Sequence, residues 1–121
     1  MTKVLLVDDD VQVLEMMSES LAEEGFEVIR AENGKEAVER YREDPADVIV
    51  MDIIMPEQDG VEAIHNLRRE FPDAKIIAIS GGSPNIAGEY LLGTAEALGA
   101  IETFNKPVDI SKLLQTIKDA V

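Results

Sequence analysis

Apolar residues fall along this chain in two rhythms. Short unbroken runs alternate with longer stretches where they recur every three or four positions. The runs Val4-Leu5-Leu6-Val7, Val48-Ile49-Val50-Met51 and Ile76-Ile77-Ala78-Ile79, the last led in by Lys75, are apolar at odd and even positions alike. That is the pattern of strands buried on both faces, as in a parallel sheet. Phe26 to Ile29 and Ile101 to Phe104 supply two shorter strand signals. Helical spacing links Leu14, Met17 and Leu21, with Gly25 as the stop. It links Ala37, Val38 and Tyr41, opened by Asn33-Gly34 and stopped before Pro45. Val61, Ile64, Leu67 and Phe71 follow Asp59-Gly60 and end at Pro72, and Leu91, Ala95 and Leu98 end at Gly99. Leu113, Leu114 and Ile117 form a fifth set, with Asp109 placed to cap it. Five strand signals alternating with five helix signals predict one α/β domain, a parallel sheet with helices on both faces and right-handed crossovers. Periodicity alone does not set the strand order.

The chain has 121 residues, enough for one domain with a full core, since 45% are hydrophobic. Cysteine is absent, which removes disulfides and thiolate metal sites. No apolar stretch approaches the roughly 20 residues of a membrane span, and Met1-Thr2-Lys3 runs straight into the first strand with no signal peptide. The expected location is the cytoplasm. The formal net charge of -14 argues against direct binding to DNA and favours cations and basic partner surfaces.

The chemistry gathers at the strand ends. The first strand stops at Asp8-Asp9-Asp10, the third at Asp52, the fourth at Ser80-Gly81-Gly82, and the fifth leads to Lys106-Pro107. In open α/β sheets, ligands bind outside the carboxyl ends of the strands. Asp8, Asp9 and Asp52 on neighbouring tips would repel one another, and a hard divalent cation such as Mg²⁺ relieves that. Asp8 to Asp10 also read as caps of the first helix, Asp10 most of all. Asp52 is the candidate nucleophile, because a carboxylate can form an acyl phosphate. Lys106 offers a point charge, Ser80 a hydroxyl, and Gly81 an N–H with no Cβ in the way. His65 is the lone histidine and reads as sitting on a solvated or half-buried face. Met16, Met17, Met51 and Met55 read as core filling.

These residues carry a resemblance. Val7-Asp8-Asp9, then Asp52-Ile53-Ile54-Met55-Pro56-Glu57-Gln58-Asp59-Gly60, then Ser80-Gly81 and Lys106-Pro107 resemble the receiver domain of two-component response regulators, the CheY-like family. The resemblance covers the whole chain, 1–121, read as one stand-alone receiver domain. It implies a (βα)5 doubly wound fold with strand order 2-1-3-4-5. It implies that Asp52 accepts a phosphoryl group from a phosphohistidine on a sensor kinase or a phosphotransfer protein. Mg²⁺, with Mn²⁺ as a substitute, would be held by Asp9, Asp52 and the main-chain carbonyl of Ile54, with Asp8 acting through water. Lys106 and Ser80 would contact the phosphoryl group, as would the backbone at Ile53 and Gly81, and the bond before Pro107 would be cis. The output would be a changed face of the fourth helix, fifth strand and fifth helix. That face would control a protein partner or pass phosphate onward, in a monomer or a phosphorylation-dependent dimer. The only catalysis implied is gain and loss of the chain's own phosphoryl group.

The family pattern is departed from in three respects. Thr103 stands where an aromatic residue is frequent, and Phe104, one step along, should face the other side of the strand. The span from Ser80 to Gly99 is a few residues long for the family. Ile54 and Gly82 occupy positions that influence phosphoryl loss, and neither can orient a water, so slow self-dephosphorylation is expected. Two other readings fit less well. An aspartyl-phosphate hydrolase of the haloacid-dehalogenase type needs a second acid where Ile54 stands, and a cap domain. A phosphorylation-independent binding module would not need the full acceptor set.

Overall fold

Strand β1 (Lys3–Val7) divides the molecule into two cores. Val4 and Leu6 point to one face of the sheet, Leu5 and Val7 to the other, and all four are at most 1% exposed. The computed structural model describes residues 2–53, 60–80, 99–105 and 108–121. After β1 come α1 (Val11–Glu23), β2 (Glu27–Ala31), α2 (Gly34–Glu43), β3 (Val48–Asp52) and α3 (Gly60–Glu70). Then follow β4 (Ile76–Ser80), β5 (Glu102–Asn105) and α4 (Ile110–Ala120). The helix expected around Leu91, Ala95 and Leu98 lies outside the described residues.

All strand pairs are parallel and the order is β2-β1-β3-β4-β5, as the resemblance implied. Helices α2 and α3 cover one face. Ala37, Tyr41, Ala63, Ile64 and Leu67 pack there on Leu5, Val7, Ile49, Met51, Ile76 and Ala78. Helices α1 and α4 cover the other, with Leu14, Met17, Leu21, Leu113 and Ile117 on Val4, Leu6, Val48, Val50, Ile77 and Ile79. The continuous apolar runs are thus strands with a helix layer on each side. Each fully buried Val, Leu or Ile stabilises by roughly 1.5–3 kcal/mol, so the two cores outweigh the few tenths per residue that helix propensity contributes.

Local chemistry sets the ends. Asn33 caps α2 by accepting the Glu36 N–H at 2.8 Å, and Asp109 caps α4 through the Lys112 N–H at 3.2 Å. Helix α1 stops at Gly25, whose φ of 90° lets the Phe26 N–H turn back to the Leu21 carbonyl at 3.2 Å. Strands β3, β4 and β5 each run one residue past their expected ends, to Asp52, Ser80 and Asn105. The ladder is made by main chain, so a polar side chain does not stop it. Strand β2 likewise extends to Ala31 because all five of its residues pair with β1. At the opposite end of the sheet, the Lys3 N–H donates to Asp47 Oδ2 (2.8 Å) and the Asp47 N–H to the Lys3 carbonyl (2.8 Å).

Met17 and Met51 fill the core, but Met16 is 59% exposed, a correction to the reading of all four methionines as core; Met55 lies outside the described residues. The inward stripe of α1 runs through Leu14, Met17, Ser18 and Leu21, and Met16 sits about 100° away from Met17. Leu114 is half-buried against the core rather than inside it, and His65 is exposed. Between α2 and α3, Tyr41 and Phe71 meet edge to face at 4.8 Å. Arg42 donates from Nε and Nη2 to both oxygens of Glu70 at 2.9 Å. That paired bond holds the Glu70 carboxyl below its ordinary range.

Candidate functional site

Strand parity brings the acids together. Asp52 continues the alternation of Val48 and Val50, and Asp8 that of Val4 and Leu6, so both fall on the α1/α4 side at the carboxyl edge. Asp9 follows, exposed. One carboxylate oxygen from each of Asp8, Asp9 and Asp52 lies within 4.8 Å of the others. Asp8 is 3% exposed and Asp52 4%. Two nearly buried carboxylates side by side, with a third at the rim, concentrate negative charge where water screens it least.

The loop that carries Asp8 is fixed at several points. The Asp8 N–H donates to the Ala31 carbonyl (3.2 Å), and Asp8 Oδ1 accepts the Asp10 N–H (2.9 Å). Asp10 then caps α1, its Oδ1 accepting from the N–H groups of Gln12 (3.0 Å) and Val13 (3.3 Å). Asp10 is therefore a cap, and among the described residues it stands outside the three-acid group. Its main-chain N–H is the participant that residue types did not reveal, since every non-proline residue carries that donor.

Ser80 ends β4 one position beyond Ile79, the register partner of Asp52, and is 4% exposed. Ile53 is fully buried, and its N–H donates to the Ile79 carbonyl at 2.9 Å. A phosphoryl oxygen could take that donor only by displacing the bond to Ile79. Phe104 packs into the α1/α4 core, while Thr103 pairs with Ala78 of the α2/α3 core. The two face opposite sides, as parity required. Ile54, Gly81, Gly82, Lys106 and Pro107 lie outside the described residues, as does most of the long span after Ser80.

The donor set suits a hard cation. It is all carboxylate oxygen, without sulfur or imidazole, and an octahedral ion with bonds of about 2.1 Å needs ligand oxygens roughly 3–4 Å apart. The three acids each bring one oxygen within 4.8 Å of the others, close to that range. Among the described residues, no helix is long and apolar enough to cross a membrane.

A doubly wound parallel sheet with clustered aspartates at its carboxyl edge defines a class of phospho-acceptor domains. Comparison narrows the class. Residues 4–118 match the response regulator receiver domain family. The chemotaxis protein CheY of Bacillus subtilis is 34% identical over 116 residues, covering 95% of this chain and 93% of that protein. The response regulator TrrA of Thermotoga maritima, solved in complex with Mg²⁺ and BeF, superposes with a TM-score of 0.87 at 31% identity, with full coverage of both chains. The beryllofluoride-activated NtrC4 receiver domain dimer gives 0.85 at 34% identity, covering 99% of this chain and 96% of that one. The chain belongs to the response regulator receiver domain family, and it is a phosphorylation-based signalling domain of the two-component type.

Proposed function

We infer that Asp52 is the phospho-acceptor of a two-component or phosphorelay system. The carrying observation is the cluster itself, in which Asp52 is nearly buried beside Asp8 with Asp9 at the open rim. A carboxylate oxygen of Asp52 attacks the phosphorus of a phosphohistidine on a partner kinase or phosphotransfer protein. The P–O bond forms as the P–N bond breaks, and the electron pair returns to the imidazole nitrogen. Asp8, Asp9 and Asp52, with the Ile54 carbonyl, are the residues that would hold Mg²⁺. A cation there supplies positive charge against the phosphoryl oxygens. Asp8 is pre-positioned for this by the bonds to its carboxylate and its N–H. Ser80 contributes a hydroxyl from the neighbouring strand end, Lys106 an ammonium, and Gly81 an unhindered N–H. The chain's own catalysis is confined to gaining and losing this group, and because Ile54, two positions after Asp52, and Gly82, two after Ser80, cannot orient a water, the loss is slow. It works in the cytoplasm on a protein target.

The test is intact mass after incubation with Mg²⁺ and a small phosphodonor such as acetyl phosphate. One phosphoryl adduct on the wild type, and none on Asp52→Asn, is the expected result. An adduct that survives the substitution, or none on the wild type while a known receiver is labelled in parallel, refutes the assignment.

A further inference from the structure

We propose that Asp10 is a positioning residue for the cation site, setting the affinity for a divalent metal without touching it. This rests on the reading of Asp8, Asp9 and Asp52 as metal ligands. Asp10 spends three of its groups in opposite directions. Its N–H holds Asp8 Oδ1 at 2.9 Å. Its carbonyl accepts the Leu14 N–H at 3.0 Å. Its carboxylate Oδ1 takes the Gln12 and Val13 N–H groups. The side-chain cap fixes the backbone of Asp10 at φ -87° and ψ 107°, and that backbone aims the N–H at Asp8. Helix α1 is anchored in turn by Leu14, Met17 and Leu21 in the core. The orientation of a nearly buried ligand carboxylate is therefore referred, through one residue, to a packed helix.

Two contributions of Asp10 are separable. Its negative charge attracts a cation from a distance, as any nearby acid does. Its cap geometry steadies the donor to Asp8, and that part is specific. Asp10→Asn and Asp10→Ala lose the same charge, but asparagine keeps a capping oxygen and alanine does not. The difference between these two variants isolates positioning. If the full worth of the cap is transmitted to Asp8, Asp10→Asn binds metal about fivefold more tightly than Asp10→Ala, the equivalent of the roughly 1 kcal/mol an N-cap contributes.

The experiment is a Mg²⁺ titration of the full chain followed by amide chemical shifts, on wild type, Asp10→Asn, Asp10→Ala and the ligand variant Asp9→Asn. Amide hydrogen exchange at Gln12 and Val13, read in the same samples without metal, reports the cap, and thermal unfolding confirms that each variant is folded. Faster exchange in Asp10→Ala together with a severalfold weaker affinity than Asp10→Asn supports the proposal. Equal affinities for the two neutral variants overturn it and leave only a charge effect. A loss in Asp10→Asn as large as that in Asp9→Asn also overturns it, by making Asp10 a ligand. Absence of saturable Mg²⁺ binding by the wild type removes the metal site itself, a failure distinct from either of these.

Discussion

Replacing Asp52 by asparagine should stabilise the metal-free protein, although it abolishes the proposed function. The carboxylates of Asp8 and Asp52 approach within 4.8 Å, and both are nearly buried. At an effective dielectric of about 20, two unit charges at that separation repel by about 3.5 kcal/mol. Both residues also have further interactions, and asparagine keeps the volume and one acceptor oxygen but would weaken a charge-assisted bond by ~1–2 kcal/mol. The net expectation is a gain of about 1.5–2.5 kcal/mol. Unfolding entropy for a chain of this size is about 0.25 kcal/mol per kelvin, so Tm should rise by about 6–10 °C. The assay is calorimetry of wild type and Asp52→Asn, first in EDTA and then in MgCl₂. At ten times its Kd, Mg²⁺ adds about 1.4 kcal/mol to the wild type and less to the variant, which lacks one ligand charge. The gap in Tm therefore closes as metal is added. A lower Tm for Asp52→Asn in EDTA, or a gap that ignores Mg²⁺, would refute the claim that repulsion within this cluster is what a cation relieves.

Three further outcomes follow from the packing. Ser18 is 4% exposed, and its Oγ has no hydrogen-bond partner among the described residues, so Ser18→Ala should raise stability by about 1–2 kcal/mol in urea unfolding; a loss would show that the hydroxyl is satisfied. Glu70, held below its ordinary value of 4.5 by Arg42, contributes stability at neutral pH that disappears as the pH falls through its lowered pKa. Glu70→Gln should accordingly be the less stable protein near pH 7 and match the wild type in strong acid; urea midpoints across pH check this, and a gap that persists in acid contradicts it. Gly99 has φ 104°, and a Cβ there would lie 3.1 Å from Arg68 Nε. Gly99→Ala should cost about 1–2 kcal/mol, and a melt of the double variant with Arg68→Ala should recover only the steric part, because the backbone strain remains.

The central strands announced themselves because burial on both faces leaves no polar position in Val4–Val7 or Val48–Met51. The caps at Asn33 and Asp109 were legible because a side-chain acceptor before an apolar period has one economical use. Strand ends were displaced by a residue or two, since Asp52, Ser80 and Asn105 pair through main chain that carries no residue-specific signal. The acid cluster was foreseen from the positions of the strand ends, and Phe104 from parity. Met16 was misread because a methionine beside a buried methionine has the same composition whichever way it points. The tie from Asp10 to Asp8, and the use of the Ile53 N–H by Ile79, were beyond reach of the residue types, because both donors belong to the backbone.

Strand order also shapes how the chain comes together during synthesis. Strand β1 precedes every other strand in sequence, yet it lies inside the sheet between β2 and β3. Its β2 edge closes early, but the other edge waits for a partner roughly forty residues downstream, Val4 finding Val48. Until β3 leaves the ribosome, Val4–Val7 presents an apolar strand with an open row of main-chain donors and acceptors to any neighbouring nascent chain. Asp47 emerges just ahead of β3 and bonds both the N–H and the carbonyl of Lys3. Those two bonds fix the register in which Val4–Val7 meets Val48–Met51. The interval between the synthesis of β1 and that of β3 therefore leaves an unpaired apolar strand edge open to aggregation.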